Sequence, residues 1–501
     1  MSRRLEWWPA LIAVTALTAC SLEPHYRRPE PAVAPRWPSG AAYDPAEKVP
    51  LPVLRYTDIF RDPKLQAIIV QALANNQNVR IALGNIAAAR AQYRIQRSQQ
   101  LPRINGSAGI TAIRRATGVA ATGGTTTGGA TGITTLASGR TVTDYTLNAG
   151  LAAFEIDLFG RLRSLSRAAL DSYLATEEAA RAFHLTLIAE VATGYLTLAA
   201  DRSLLAVAVD TETTARRALE LTRARLNGGI APRSDVRQAE TILDQARSDY
   251  AAQTTLVAQD KNGLELLVGA PIADSVLPAS IESVDGELVA LPAGVDSRIL
   301  LRRPDVVEAE YNLRAANARI GAARAAFFPT ITLTGFAGLA STALTSLFTG
   351  GAFNFSAGPA ATLPIFNGGA LRGNLAFASA QADIAVAQYQ LAVQTAFREV
   401  SDALARQGTI ADQLTAQKDL VFAATDTSAL VFARYREGID PFLNTLDTQR
   451  TLYAARRSLA ATRLTRANNL VTLYRTLGGD QLEPPSAVTE RSATATTGQQ
   501  R

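Results

Sequence analysis

The sequence is poor in the side chains that most enzymes and metalloproteins use. Its 501 residues include two histidines, one cysteine and one methionine. The chain therefore has too few cysteine and histidine residues for a Cys/His metal site, and it shows no cysteine nucleophile paired with histidine. The nucleotide-binding motif GxxxxGKS/T, the zinc motif HExxH and the esterase motif GxSxG are absent as well. An enzyme with this composition would have to work with carboxylates alone.

Long hydrophobic runs and clusters of charge are also scarce. After residue 20, no stretch approaches the roughly 18 to 20 uninterrupted apolar residues that a membrane-spanning helix needs, which excludes an ordinary polytopic helical membrane protein. The 50 basic and 44 acidic residues are dispersed along the chain, so no nucleic-acid partner is expected. With 47% hydrophobic residues, the chain still has ample apolar material for a folded core.

The N-terminus has the features of a secretory signal. Two arginines precede a short apolar run, Leu11 to Leu17. The segment Leu17-Thr18-Ala19-Cys20 resembles the bacterial lipobox, in which the cysteine becomes the lipidated first residue of the mature protein. The resemblance implies lipid attachment at Cys20 and, because Ser21 is not an aspartate, the outer membrane. Cys20 as a buried small hydrophobe remains the alternative.

Most of the chain consists of an internal sequence repeat with two copies. Residues 209 positions apart match without a gap: Arg163 with Arg372, Glu190-Val191 with Glu399-Val400, Gly229-Ile230 with Gly438-Ile439, Pro232 with Pro441, and Gly269 with Gly478. Upstream, Leu101-Pro102 corresponds to Phe328-Pro329 at a shift of 227. A constant offset of this kind indicates two homologous halves.

The repeat sets the domain organisation that we predict. The boundaries are a lipoprotein signal peptide at 1–19, an N-terminal extended segment at 20–60, a first repeat at 61–270, a connector at 271–296, a second repeat at 297–479 and a flexible C-terminal tail at 480–501.

Each repeat contains the same order of predicted elements. A helix, at 62–100 or 303–327, ends before a proline, as the restriction on a residue preceding proline predicts. Two strands follow, at about 104–116 and 141–158 or 330–340 and 352–366, and a Thr/Gly/Ala-rich loop runs from Thr117 to Gly139. A proline-free helix then covers 161–227 or 371–437. At 1.5 Å per residue such a helix is roughly 100 Å long, too long for a compact globular domain.

The strand count predicts an oligomer. A sheet in lipid must close so that no edge is unpaired, and four strands cannot close. Two chains would give a filled eight-stranded barrel and three would give twelve strands, so a conducting pore requires at least three chains. The predicted fold is mainly α with a small β part. Two structural repeats form a long α-helical barrel, and four strands per chain contribute to a shared transmembrane β-barrel.

Two segments resemble the outer membrane factor family. They are Leu301-Arg302-Arg303-Pro304-Asp305-Val306 leading to Phe328-Pro329, and Arg434-Tyr435-Arg436-Glu437-Gly438 followed by Leu446-Asp447-x-Gln449-Arg450. Together with the repeat they look like the TolC-like group, in particular the NodT/OprM-like lipoprotein branch that serves resistance-nodulation-division efflux pumps. The similarity covers about 26–479.

The resemblance implies a function without chemistry. The chain would form a homotrimeric passive duct that is lipid-anchored in the outer membrane, with its helical barrel in the periplasm. Its partners would be a periplasmic adaptor protein, an inner-membrane efflux transporter and outer membrane lipid. No cofactor, metal or enzymatic activity is expected.

The resemblance also implies which residues close the duct. The family's Asp-x-x-Asp after the second-half turn falls on Asn444 and Asp447, its tip tyrosine falls on Tyr435, and the aspartate of the first half falls on Asp235. Two plainer interpretations stay open: Asp447 as a solvated charge on a helix surface, and Tyr435 as an ordinary packing residue.

The sequence departs from the family pattern at two gate positions. Asn444 replaces the outer aspartate, which leaves one ring of charge where two are usual. Asp440 stands where the family has a basic residue that restrains the closed duct, so this chain cannot form the same contact. The positive partner of Asp440 would be one of three neighbouring arginines: Arg233, Arg434 or Arg436.

A function of a different class fits the same sequence. A non-conducting structural lipoprotein of the cell envelope would have the same long helices, with the Thr/Gly-rich segments as linkers. Ion conductance together with β-strand content distinguishes it from a duct. A hydrolase that acts through carboxylates is a third alternative. The cargo of a duct stays open, because drugs, solvents and peptides fit equally well. The absence of methionine and free cysteine in the mature chain argues against thioether or thiolate sites for copper or silver, although a metal pump could still use such a duct.

Overall fold

The computed structural model describes residues 21–43, 55–114, 141–288 and 297–479. The predictions for the signal peptide at 1–19, for Cys20, for the loop from Thr117 to Gly139 and for the tail at 480–501 lie outside the described residues. Contact density divides the chain into two compact units. The first comprises 1–28, 87–174 and 311–387, and the second comprises 29–86, 175–310 and 388–501.

Most of the described residues are helical. The helices are α1 (Tyr56–Ile59), α2 (Pro63–Asn75), α3 (Gln77–Ser98), α4 (Arg161–Asn227), α5 (Arg233–Val268), α6 (Ile281–Val284), α7 (Pro304–Ala325), α8 (Ala370–Arg436) and α9 (Phe442–Thr476). The strands are β1 (Ile104–Arg114), β2 (Thr141–Ile156), β3 (Thr330–Ser341) and β4 (Phe353–Thr362). In each repeat two strands precede a 67-residue helix and a shorter partner helix.

The predicted single helix at 62–100 is wrong in detail, because it is two helices that meet at Asn76. The Asn76 side chain accepts hydrogen bonds from the backbone N–H groups of Asn78 and Val79, at 2.8 and 3.2 Å, and so caps α3. Its amide also donates to the Leu267 carbonyl at 2.7 Å. A capping side chain competes with helix continuation, so the break is encoded by one asparagine.

In the first unit, β1 to β4 form one antiparallel sheet in the order β1-β2-β3-β4. The register pairs Ile104 with Leu151 and Leu147 with Leu339, which in turn pairs with Phe353. A β-bulge between Leu151 and Phe154 shifts the β2–β3 register. Ala153, inside the bulge, has a φ of 44°, a left-handed conformation that is rare for a residue other than glycine.

The register gives the sheet one apolar face and one polar face. Since successive side chains of a strand alternate between faces, the apolar face carries Ile104, Ile110, Leu147, Leu151, Leu333, Leu339, Phe353 and Phe355. Polar residues lie on this face at one end of the sheet: Arg114, Thr141, Thr143 and Ser341. Several are strongly exposed, with 76% of Ile104 and 74% of Phe355 accessible. The opposite face carries Asn105, Ser107, Thr111, Asp144, Thr146, Asn148, Thr332, Thr334, Asn354 and Ser356, and is interrupted by Ile113, Val142 and Phe336.

In the second unit, a buried arginine joins the start of α7 to two other helices. The Arg303 guanidinium is 5% exposed. It donates to the carboxylates of Asp305 and Glu399 at 2.7 and 2.9 Å and to the Thr476 carbonyl at 2.9 Å. With these partners the buried charge of Arg303 is compensated. Loss of one carboxylate would leave part of that charge uncompensated in the low-dielectric interior. Arg303 belongs to the segment on which the family resemblance rests.

One helix of the described residues, α4, is long and apolar enough by composition to cross a membrane. More than half of its most apolar window is buried within the structure. A buried helix that packs against its neighbours meets the same criteria of length and composition, so we interpret α4 as a packed helix.

Gly338 tests the sheet register directly. A Cβ atom there would lie 2.5 Å from the Leu147 carbonyl oxygen and 2.8 Å from the Asn148 Cα, so Gly338→Ala must push β2 and β3 apart. We expect a destabilisation of about 1 to 3 kcal/mol, seen as a lower melting temperature by circular dichroism in detergent. Gly358→Ala is the control, because nothing lies within 4 Å of its Cβ position. Equal melting temperatures for the two variants would contradict the register.

Candidate functional site

The turns after the two long helices have the same geometry. Gly229 and Gly438 adopt φ values of 74° and 78°, which place each residue in the left-handed conformation that ends a helix. The N–H of Ile230 then bonds to the Arg225 carbonyl, and the N–H of Ile439 bonds to the Arg434 carbonyl, both at 2.9 Å. The sequence repeat is therefore also a repeat of backbone hydrogen bonds.

Tyr435, predicted to be the tip tyrosine, is buried where the two repeats meet in the second unit. It is 2% exposed, and its ring centroid is 5.3 Å from that of Phe442. Both rings belong to a hydrophobic cluster to which α4 and α5 of the first repeat contribute Ala215, Ala218, Leu219, Val236, Ala239, Leu243 and Ala246. The ring therefore joins the helix pair of one repeat to the helix pair of the other.

A buried hydrogen bond fixes the orientation of Tyr435. The Thr222 hydroxyl donates to the Ala218 carbonyl at 2.8 Å, so its oxygen is available to accept. The Tyr435 hydroxyl lies 3.0 Å from this oxygen and is the remaining donor. Thr222 is fully buried, and an unsatisfied buried hydroxyl is costly. Tyr435 is thus both a packing residue and a hydrogen-bonding partner of the first repeat.

Arg225 makes a second link between the repeats. Its Nη1 donates to the Tyr435 carbonyl at 2.7 Å, and its guanidinium carbon lies 4.8 Å from the centroid of the Tyr435 ring. Both contacts are favourable, since the carbonyl is an acceptor and the ring face is electron-rich. Neither Arg225 nor Thr222 was predicted from the sequence. The repeat could have indicated Arg225. At the offset of 209 this residue corresponds to Arg434, a predicted partner of Asp440, and its neighbour Leu226 corresponds to Tyr435.

The positive partner of Asp440 lies within the same chain. Arg434 donates from Nε and Nη2 to the two Asp440 oxygens, at 2.7 and 3.1 Å. These hydrogen bonds hold the pKa of Asp440 below its usual range and raise the pKa of Arg434. Of the other two candidate partners, Arg436 is paired with its neighbour Glu437 at 3.1 Å. The bidentate pair spans the second-repeat turn.

The remaining predicted gate residues are not members of the Tyr435 cluster, although their sequence neighbours Val236, Phe442 and Leu446 are. Asn444 and Asp447 are exposed on the first two turns of α9 and are three residues apart, so they are neighbours on one helix face. Asp235 is partly buried in the first turn of α5, where the Ser234 hydroxyl lies 3.4 Å from its carboxylate. The structure brings Tyr435 together with Thr222 and Arg225, and not with Asp235.

Over the parts of the chain that the structure describes, no group of three or more His, Cys, Asp or Glu side chains is arranged to hold a metal ion. At the turns after the two long helices, which we call the tip, the polar contacts are hydrogen bonds between helices and ion pairs within the second-repeat turn. The exposed Arg434–Asp440 pair can be exchanged for water at modest cost, whereas the buried hydrogen bond between Thr222 and Tyr435 is costly to break unless water replaces it.

The chain is similar to known proteins along most of its length. The outer membrane efflux protein family matches residues 68–270 and 295–479. The chain is 41% identical over 490 residues to two proteins of Pseudomonas putida, the antibiotic efflux pump outer membrane protein ArpC and the toluene efflux pump outer membrane protein TtgC. These matches cover 97% of this chain and 98% of each relative.

The fold is similar to that of a solved channel. The crystal structure of the open state of the Neisseria gonorrhoeae MtrE outer membrane channel matches with a TM-score of 0.76 and 34% identity, covering 92% of this chain and 99% of that one. The fold and these relatives define an outer membrane channel protein. Within that class, the chain belongs to the outer membrane efflux protein family. The predicted resemblance and fold class are thereby confirmed.

The link made by Arg225 can be measured at the tip itself. Arg225→Ala removes a charge-assisted hydrogen bond and the contact with the Tyr435 ring. We expect amide hydrogen exchange at 222–228 and 435–440 to become about tenfold faster, equivalent to about 1.4 kcal/mol. Arg436→Ala is the control, because Arg436 is exposed and pairs with the adjacent Glu437. Exchange that is equally slow in both variants would show that Arg225 does not hold the tip.

The Arg434–Asp440 pair predicts a pH profile. Since the folded-state pKa of Asp440 is lowered, the pair contributes stability above the unfolded value of about 3.9, and this contribution is lost as pH falls through the lower folded value. The difference in melting temperature between the wild type and Asp440→Asn should therefore be constant from pH 8 to pH 5 and shrink below about pH 4. A difference that disappears near pH 6 would contradict this assignment.

Proposed function

We propose that the protein is the outer membrane duct of a tripartite efflux system. Three copies form a passive channel that receives small molecules from a periplasmic adaptor and an inner-membrane pump and releases them outside the cell. The observation that carries the proposal is the four-stranded sheet, which has two different faces and two open edges. The duct supplies no chemistry of its own, and the energy for transport comes from the pump.

The open edges require more than one chain. Within the sheet, β1 and β4 each pair on one side, so their outer backbone groups need partners. In a bilayer there is no water to supply them, and only a closed sheet satisfies every N–H and C=O group. Pairing β4 of one copy with β1 of the next closes the ring. Three copies give twelve strands, which is large enough for a water-filled lumen.

The two faces of the sheet indicate which side of the ring would contact lipid and which would line the lumen. The apolar face, with Ile104, Leu147 and Phe355, fits lipid, and the face with Thr111, Asp144 and Asn148 fits an aqueous lumen. Transmembrane barrels alternate apolar and polar residues in this way. The same alternation would be unfavourable in an exposed linker, because it leaves a continuous apolar patch in water. The sheet therefore supports the duct over a non-conducting structural lipoprotein.

We assign the constriction of the duct to the predicted gate residues at the helix turns. Three copies of Asp447 around one narrow axis would place three like charges together and attract cations. Asn444, three residues earlier, adds no second ring of charge. The link of Tyr435 to Thr222 and Arg225 and the pair of Arg434 with Asp440 hold the turns. Asp235 is the first-repeat residue that corresponds to Asn444 at the offset of 209.

The relatives support the partners but leave the cargo open. ArpC is named for an antibiotic efflux pump and TtgC for a toluene efflux pump, at the same 41% identity to this chain. Both names describe the outer membrane part of a pump, which supports an adaptor and an inner-membrane transporter as partners. We further propose that Cys20 is acylated and anchors each copy to the outer membrane, since several acyl chains hold a protein firmly to a bilayer.

Ion conductance of the purified protein in planar bilayers tests the function and the gate together. The wild type should conduct with a preference for cations. Asp447→Ala should lower that preference, and Asn444→Asp, which restores a second ring of three carboxylates, should raise it. The opposite signs separate a charge effect from a general disturbance of α9.

Two outcomes count against these proposals. A purified oligomer that never conducts would favour the non-conducting structural lipoprotein. A conducting channel whose selectivity is the same in all three proteins would remove Asp447 from the constriction while leaving the duct in place.

A further inference from the structure

In the first unit, residues 22–26 lie along one side of α7 in an ordered arrangement. The Asn317 amide donates to the Pro24 carbonyl at 2.8 Å, and the Arg324 Nη1 reaches the Leu22 carbonyl at 3.4 Å. The Arg314 guanidinium carbon lies 5.1 Å from the centroid of the Tyr26 ring. Backbone carbonyls and an aromatic face of the segment thus meet donors and cations of the helix.

The contact residues on α7 form a single stripe, which we call the α7 stripe: Arg314, Asn317, Gly321 and Arg324. Their spacing of three or four residues places them on one face of the helix. The α4 helix closes the other side, since Arg167 pairs with Glu23 at 2.7 Å. The Glu23 side chain is 12% exposed, so this carboxylate is largely enclosed. The segment therefore lies in a groove and not on an open surface.

Gly321 shows how closely the segment approaches. A Cβ atom at this position would lie 2.8 Å from the Glu23 Cα and 2.9 Å from the Ser164 Oγ. Glycine inside a helix is unfavourable relative to alanine, so its presence needs a reason. Here the missing side chain makes room for the backbone of the N-terminal segment.

The segment runs antiparallel to α7. Tyr26 lies at Arg314, Pro24 at Asn317 and Leu22 at Arg324. The chain therefore leads from Tyr26 back towards the end of α7 at Ala325, after which β3 begins at Thr330. Leu22, two residues along the sequence from the proposed attachment point, is therefore the docked residue nearest the end of α7 from which β3 starts.

We propose that the α7 stripe is a docking site for the chain's own residues 22–26, which holds the lipid anchor at the level where the sheet meets the bilayer. The proposal rests on the acylation of Cys20 proposed above. Docking positions the acyl chains and the start of β3 in the same leaflet, so anchoring also aids insertion and assembly of the ring. An undocked segment would tether the protein without setting its depth.

Docking predicts protection of the segment from protease. Arg27 is exposed and directly follows the docked residues, but trypsin requires the chain around its cleavage site to be free of structure. In the purified full-length protein, Gly321→Ala should accelerate cleavage after Arg27 at least tenfold and reduce heat-stable oligomer in the outer membrane several-fold. Asn317→Ala, which removes a docking contact without adding bulk, should act in the same direction.

Gly263→Ala is the matched control. Gly263 also lies inside a helix, α5, but nothing is within 4 Å of its Cβ position. This variant should match the wild type in cleavage rate and in the amount of oligomer. Gly321→Ala and Asn317→Ala that both behave like Gly263→Ala would overturn the docking site.

The same digest separates this proposal from that of the lipid anchor. Cleavage after Arg27 releases a peptide that starts at the mature N-terminus, and its mass shows whether acyl chains are attached. An unmodified peptide would overturn anchoring through Cys20, and with it the depth-setting role of the segment. An acylated peptide released at equal rates from all variants would overturn docking while leaving the anchor intact.

Discussion

The outer edges of β1 and β4 carry backbone N–H and C=O groups that the sheet itself does not pair. In water such groups would be hydrated, but in lipid they cost several kcal/mol each unless another strand supplies partners. The apolar face beside them, with Ile110 and Phe353, commits the same sheet to lipid. Together these features require further strands to complete the wall, which identical copies can supply, and the oligomeric pore that we propose depends on that closure.

The two repeats have diverged where they meet at the tip. At equivalent positions, Arg225 bonds across to the Tyr435 carbonyl, whereas Arg434 bonds within its own turn to Asp440. Tyr435 itself corresponds to Leu226, so the hydroxyl that reaches Thr222 exists in one repeat alone. The two turns therefore differ in their contacts. The first-repeat turn bonds to the second repeat through Arg225, and the second-repeat turn contains its own Arg434–Asp440 pair.

Periodic features of the fold were predictable from the sequence, and features made by single side chains were not. The constant offset predicted the repeat, and the absence of proline predicted the helix at 161–227 with its observed bounds. The cap at Asn76 was missed because 62–100 was assigned from its composition and apolar spacing, although asparagine favours helix caps over helix interiors. Thr222 was missed because its hydrogen-bonding partner, Tyr435, is 213 residues away in the sequence. The partner of Asp440 was narrowed to three arginines, and side-chain geometry selected Arg434.

The number of chains in one membrane-inserted particle tests the central claim most directly. Native mass spectrometry of the protein released from lipid nanodiscs, without cross-linking, gives this number from the mass. We expect three chains, with no single chain stable in the bilayer. A stably inserted single chain would contradict the requirement for partners, because four strands would then have satisfied their edges in lipid on their own.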